Sequence, residues 1–184
     1  MSDAMVRPGG LPDDVTLFTQ RLVLEPLRAA DSDELFELIR DPRLYVFLGE
    51  HHCPPSVEAL RGSRTQTHRT SLDCNQRWWS WLARLKEDHV PVASLHVQMQ
   101  SPSGPIELGW MTGMRWQRQG FAKEAMVAIC GWLKSWWDGE VMANMHPHNV
   151  AAAKLSAAIG MSPSGVVSGV SRWSAASPDF LGRR

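Results

Sequence analysis

The stretch WQRQGFAKEA, residues 116–125, joins a strand-like run to the longest helical pattern in the chain. A helix is expected from about Gly120 to Trp137, because Met126, Ile129, Leu133 and Trp136 recur at helical spacing. The first turn of a helix carries N–H groups with no intrahelical partner, at the positive end of its dipole. A glycine at that entry lets the backbone approach an anion such as a pyrophosphate, and Ala122 keeps the first turn uncrowded. On their own these residues equally describe an ordinary glycine-containing helix entry. The surroundings decide between the two.

Upstream lie three strand-like runs. In RWWSWLARL (77–85), Trp79, Trp81, Ala83 and Leu85 share a face. In PVASLHVQM (91–99), Ala93, Leu95, Val97 and Met99 do the same, with His96 opposite. SPSG (101–104) has turn chemistry, and IELGWMT (106–112) is the third run. Nearer the N-terminus, RLVLEPL (21–27) alternates as an opening strand, with Pro26 near its end or on an edge. Asp31 or Ser32 stands where it can cap a helix with Leu35, Leu38 and Ile39 on its apolar face, stopping before Pro42. Residues 43–74 give little signal beyond the Cys-Pro-Pro break at 53–55 and a polar helix over 56–70 interrupted by Gly62. Downstream, EVMANMH (140–146) reads as a strand, and Asn149 to Ile159 as a small-residue helix closed by Gly160. The last 24 residues hold two short strands. Residues 1–16 read as a flexible tail and 17–184 as a single domain. Strands, then a helix, then a strand and a helix make an α+β or mixed three-layer domain, not the regular alternation of a doubly wound nucleotide-binding fold.

Composition narrows the function classes. Nineteen basic side chains balance nineteen acidic ones, which argues against a broad electrostatic nucleic-acid or membrane-surface binder. Cys53, Cys74 and Cys130 are too few and too scattered for a disulfide framework or a four-ligand zinc site, so a reducing cytoplasm fits best. The opening MSDAMVRPGGLPDDV lacks the apolar stretch of a signal peptide. The uncharged run between Lys154 and Arg172 is too rich in Ser, Gly and Pro to span a bilayer. His51-His52-Cys53 and His146-Pro-His148 lack both a helical spacing and a third ligand, so no metal is expected.

Several patterns then fall in one order. Gln117, Gly120 and Ala122 fit Gln/Arg-x-x-Gly-x-Gly/Ala and continue into Glu124 and Ala125. Leu108, Gly109 and Trp110 make an aliphatic-Gly-aromatic step, and Pro147, Asn149, Ala151, Leu155 and Gly160 form a second signature. With the opening TQRLVLEPL (19–27), these residues resemble the GNAT-superfamily N-acetyltransferases, nearest the branch that acetylates ribosomal-protein N-termini (RimJ/RimL-like). The resemblance covers residues 19 to about 173. It implies the GNAT fold: a mixed, mostly antiparallel twisted sheet of about six or seven strands flanked by helices.

The resemblance also implies a reaction, direct acyl transfer from acetyl-CoA to a primary amine, with no metal. An amine at neutral pH is mostly ammonium and must lose a proton before it attacks. Glu107 is the expected general base, or else a surface glutamate of an edge strand. Backbone N–H groups at Met111 and Thr112 are the expected oxyanion donors. Gln117, Arg118, Gln119, Gly120, Phe121, Ala122 and Lys123 are expected around the pyrophosphate. Asn149 is expected against the pantetheine, as a helix N-cap, or as both. Ser156 falls where other GNATs carry the tyrosine that protonates the CoA thiolate, and is either that acid or a tolerated helical serine. Trp78, Trp79, Trp81 and Trp110 are core side chains or the lining of an aromatic acceptor pocket.

Some residues depart from the branch's pattern. Arg118 stands where glycine is frequent, and either adds a phosphate-facing charge or crowds the loop. Met161 replaces a frequent aromatic and Ala152 a frequent serine. Two rival readings stay open: a GNAT-fold protein that binds acyl-CoA without turnover, and an enzyme using a longer acyl-CoA. The expected partner is the amine acceptor, a protein N-terminus or a small molecule, with neither nucleic acid nor membrane. The sequence gives no oligomeric state.

Overall fold

A computed structural model of the chain describes residues 15–62, 76–101 and 103–177. Residues 1–14 of the expected tail, 63–75 around the end of the expected polar helix, Pro102 of the expected turn and residues 178–184 lie outside them. Eight strands form one sheet: β1 (Leu17–Phe18), β2 (Leu22–Pro26), β3 (Arg77–Leu85), β4 (Pro91–Met99), β5 (Ile106–Thr112), β6 (Val141–Met145), β7 (Ser162–Val167) and β8 (Val170–Ala175). Their spatial order is β1-β2-β3-β4-β5-β6-β8-β7. Every neighbouring pair is antiparallel except β5 and β6. The fold class is the expected one. The eighth strand is the two-residue β1, too short to leave a period in the sequence.

Alternation along the strands sends side chains to two faces. One face, with Leu22, Leu24, Trp79, Trp81, Leu95, Val97 and Leu108, packs against α2 (Phe121–Lys134), which contributes Met126, Ile129 and Leu133. The other is covered at one end by α1 (Ser32–Ile39), whose Leu35 and Leu38 meet Leu82. A third helix, α3 (Val150–Ala158), follows β6. Neither expected cap closes α1 with its side chain. Asp31 occupies the N-cap position, but its carboxylate accepts from Arg28 N–H, and Ser32 Oγ donates to Ala29 O.

The long helix ends earlier than its periodicity suggests. Leu133 O accepts from both Trp136 N and Trp137 N, at 3.0 and 2.8 Å, so helical progression stops while both rings stay buried. The chain has nine tryptophans, and four of them cluster here: Trp79, Trp132 and Trp136 have mutual ring-centroid distances of 5.1–5.6 Å, and Trp81 lies 5.2 Å from Trp132. Such tilted and edge-on pairs contribute beyond simple area burial. Trp81 Nε1 also donates to Val15 O at 2.8 Å, tying the start of the described chain to the sheet.

Candidate active site

The parallel pairing of β5 with β6 is brief. Only Ile106↔Val141 and Glu107↔Met142 are in register. Beyond Glu107, β5 runs on to Thr112 paired with β4 alone, while β6 runs on to Met145 paired with β8 alone. A gap therefore opens in the middle of the sheet. The backbone groups of Leu108–Thr112 that face it have no strand partner and can bond an extended, amide-containing ligand. Met111 and Thr112 stand on that wall, both half-buried, but strand alternation turns the Met111 N–H toward β4, so of the two expected oxyanion donors only Thr112 presents its N–H to the gap.

The wall leads into the helix entry. Gln117 Nε2 donates to Thr112 O at 3.4 Å, and Gln119 Nε2 to Arg115 O at 2.9 Å, so both glutamine side chains hold the loop itself. Gly120 is the N-cap of α2 with φ +83°, a left-handed conformation that favours glycine. Arg118 takes φ +62° without that freedom. The first helical bond at this end is Glu124 N→Gly120 O, which leaves the N–H groups of Phe121, Ala122 and Lys123 at the free positive end. Arg118 and Lys123 are exposed beside them, while Phe121 is buried under the turn.

An acid in this first turn would oppose an anion, yet Glu124 is fully engaged elsewhere. Its Oε1 accepts from Thr19 Oγ1 and Arg21 N at 2.6 and 2.7 Å, and its Oε2 pairs with Arg21 Nε at 2.7 Å. Burial pushes the Glu124 carboxyl up, but the Thr19 and Arg21 contacts outweigh it and hold the pKa below its ordinary value. The same Arg21 donates Nη1 to Gln119 O at 3.1 Å and lies 4.5 Å over the Phe121 ring. One arginine thus clamps the start of β2 to the 117–123 turn.

On the α1 side of the sheet, Glu107 faces the gap. β5 is an interior strand, not an edge, so the surface-edge alternative for Glu107 does not hold. Asn144 Nδ2 of β6 donates to Glu107 Oε1 at 3.0 Å, and Arg172 Nε of β8 reaches Asn144 Oδ1 at 3.4 Å. Three strands thereby hold one carboxylate in place across the split. Asn149 is an N-cap as expected, accepting from Ala152 N at 3.1 Å. Ser156 is fully buried on α3, and its hydroxyl has no hydrogen-bond partner.

The tryptophans divide between the faces. Trp79, Trp81 and Trp110 belong with the α2-facing core, while Trp78 stands on the Glu107 face with its ring 5.6 Å from His96. A second bridge closes the far side: Phe47, from the segment after α1, stacks on His146 at the end of β6 with centroids 5.3 Å apart. His146 and His148 contact each other, as do His51 and His52, and no cluster of three metal-ligating side chains occurs among the described residues.

The structure thus brings Glu107, Met111, Thr112 and the 117–123 turn to one continuous wall, with Asn149 at the start of α3 and Ser156 within it. Sequence reading missed Asn144, Arg172 and His96, which carry no motif. Arg21 did have a signal, since it lies in the TQRL opening whose partner is Glu124.

A family model for the acetyltransferase (GNAT) domain matches residues 21–162. No curated protein matches the chain in sequence. Among solved structures, a GCN5-related N-acetyltransferase from Brucella melitensis is similar with a TM-score of 0.73 and 17% identity, over 90% of this chain and 80% of the other. RimL, a ribosomal L7/L12 alpha-N-protein acetyltransferase in complex with coenzyme A, gives 0.71 and 11%, over 89% and 99%. The microcin C7 self-immunity acetyltransferase MccE, in complex with acetyl-CoA and AMP, gives 0.71 and 10%, over 85% and 93%.

Proposed function

The chain belongs to the GNAT acetyltransferase family and is an acyltransferase, and from that premise we propose that it moves an acetyl group from acetyl-CoA to a primary amine by direct attack. The observation that carries the reading is the β5–β6 gap, with a held carboxylate on one wall and a free helix N-terminus at its end. Acetyl-CoA fits the residues present. The N–H groups at 121–123, with Arg118 and Lys123, suit the pyrophosphate, and the unpaired backbone of Leu108–Thr112 suits the pantetheine amides. The partnerless hydroxyl of Ser156 is the kind of buried donor that a sulfur would satisfy.

When bound, acetyl-CoA supplies an activated carbonyl and a thiolate leaving group. The backbone N–H of Thr112, on the gap side of β5, stabilises charge developing on the carbonyl oxygen. Glu107, held by Asn144, draws in the acceptor's ammonium and assists its deprotonation. Ser156 returns a proton to sulfur. The acceptor is a protein N-terminus or a small-molecule amine, and the site of action is the cytoplasm. RimL, on the same fold, is a protein alpha-N-acetyltransferase, which supports the first of these acceptor kinds.

The test is release of free CoA from acetyl-CoA with a panel of a free-N-terminus peptide, an amino acid, a polyamine and an aminoglycoside, products being weighed by mass spectrometry. Acetylated product from any of them supports the reading. Tight acetyl-CoA binding with no product would favour a non-catalytic acyl-CoA binder, and preference for a longer chain would change the donor. Glu107→Gln should lower kcat by about 10²-fold or more with acetyl-CoA affinity within a few-fold, since general-base assistance is typically worth about 10²–10⁴.

A further inference from the structure

We propose that His96 is a proton acceptor for the incoming amine, working beside Glu107 at the mouth of the β5–β6 gap; the proposal rests on the acetyltransferase reading above. His96 stands on β4 directly opposite Gly109 of β5. A Cβ built on Gly109 would overlap the His96 ring, so the imidazole lies across β5, on the strand that walls the gap. Glycine at 109 is what makes room for it. Glu107 is two residues from Gly109 on the same face, which makes it the diagonal neighbour of His96 across the strand pair. Diagonal pairs of long side chains come within reach of one another, and of a shared ammonium or bridging water.

The ring nitrogens are uncommitted: among the described residues His96 makes a ring contact with Trp78 and no hydrogen bond. The side chain is half-buried, and burial alone pushes its pKa below the ordinary value. The one facing charge is the Glu107 carboxylate, itself engaged by Asn144, and burial outweighs it. From β3 it meets Trp78 and Ser80, along β4 Ser94 and Gln98, and from β5 Glu107 and Met111. α1 turns Leu35 and Leu38 inward, and its acids pair elsewhere: Asp33 with Arg61, Glu34 with Arg84, Glu37 with Arg40. Burial thus favours the neutral imidazole.

This divides the labour between the two groups. A carboxylate binds an ammonium well, whereas an imidazole, closer to neutrality, is better matched to accept its proton. The ammonium gives one proton to a His96 ring nitrogen, and the freed electron pair forms the C–N bond as the thioester C–S bond breaks. The nitrogen's second proton replaces the one that the Ser156 hydroxyl gives to sulfur, and His96 returns its own to water.

The test compares kcat/KM against pH for wild type, His96→Gln and Glu107→Gln, with acetyl-CoA and whichever panel amine wild type acetylates fastest. With His96 as acceptor, the wild-type acid limb lies below about 6.5, the ordinary histidine value. In His96→Gln the enzyme must capture free amine, so the limb moves up to the amine's own pKa, near 8 for an α-amine, and the rate at pH 7 falls about 10²-fold. Glu107→Gln should be slower at every pH with its limb unmoved. Independently of turnover, the His96 ring resonance, identified by its loss in His96→Gln, should titrate below about 6.5 in the wild-type protein. His96→Asn repeats the comparison with a shorter side chain should glutamine disturb the fold. Superimposable pH profiles for wild type and a folded His96 variant, or a ring titrating at or above the ordinary value, would overturn the proposal. A wild type that acetylates no amine would instead overturn the acetyltransferase reading on which it stands.

Discussion

Arg118 holds a left-handed backbone that costs a non-glycine residue about 1–2 kcal/mol, at a position where glycine would sit without strain. Strain kept beside a ligand turn points to a use for the side chain, here a guanidinium next to the free N–H groups of 121–123. Arg118→Gly should therefore raise stability by about 1 kcal/mol or less, a Tm increase of about 2–4 °C, yet weaken acetyl-CoA binding roughly fivefold. Calorimetric melting and titration on the same preparation check both signs, and a loss of stability would refute the strain argument. Ser156 offers a related contrast. Its buried hydroxyl has no partner, so Ser156→Ala should leave the unliganded protein as stable or slightly more so, while kcat falls with KM for acetyl-CoA little changed. An unaltered kcat where chemistry limits turnover would remove it from the mechanism. Both residues were legible as departures from a family pattern. The reasons were not, because neither a φ angle nor an unmet hydroxyl has a sequence signature; Gly109 was likewise visible as a motif residue, but the ring it admits sits 13 positions away.

The elements that build the site are held by charge as well as by packing. Arg84 of β3 is almost fully buried and gathers three acids from neighbouring elements. Its Nη2 lies 2.6 Å from Glu34 and 3.2 Å from Asp31, and its Nε 2.9 Å from Glu25, the last close enough for an ion pair but not aligned as a hydrogen bond. This cluster fastens α1 to the sheet end that flanks the Glu107 face. Arg84→Ala would leave a cavity and three mutually repelling carboxylates, all still partly hydrated, so a loss of about 2–3 kcal/mol is expected in urea unfolding. A loss below half a kcal/mol would mean that α1 is held by Leu35 and Leu38 alone. The strands and helices themselves were readable wherever a period of 2 or 3.6 ran long enough, as in β3, β4, β5 and α2. What stayed hidden depended on distant partners. β1 exists only because β2 pairs with it, and α2 stops where Leu133 O takes two N–H groups. The gap itself arises because β5 and β6 are each committed to a different neighbour, which no local stretch encodes.

Across the whole molecule, Glu34, Glu124 and His96 pull stability in one direction with pH. Glu34 is held below its ordinary pKa chiefly by the hydrogen bond from Arg84, and Glu124 is held below its own by Thr19 and Arg21 against the cost of burial. For each carboxylate the unfolded chain binds its proton at higher pH than the folded one. Their contribution is present above about 4.5 and is lost as pH falls through the depressed folded values. His96 is also depressed, by burial, so the unfolded state again protonates first, beginning near 6.5. Stability should therefore decline in two stages on acidification: a first loss that begins near pH 6.5 from His96, and a steeper one below about 4.5 from Glu34 and Glu124. Urea midpoints at pH 7.5, 5.5 and 4 resolve the stages. In His96→Gln the first stage should vanish while the second remains, and in Glu124→Gln the second should shrink while the first persists. A first stage that survives in His96→Gln would assign it to another group and remove the buried, neutral imidazole from beside the gap. A first stage that disappears would show, without any acceptor amine, that the folded protein keeps the His96 ring unprotonated where its ring nitrogens have no hydrogen-bond partner among the described residues.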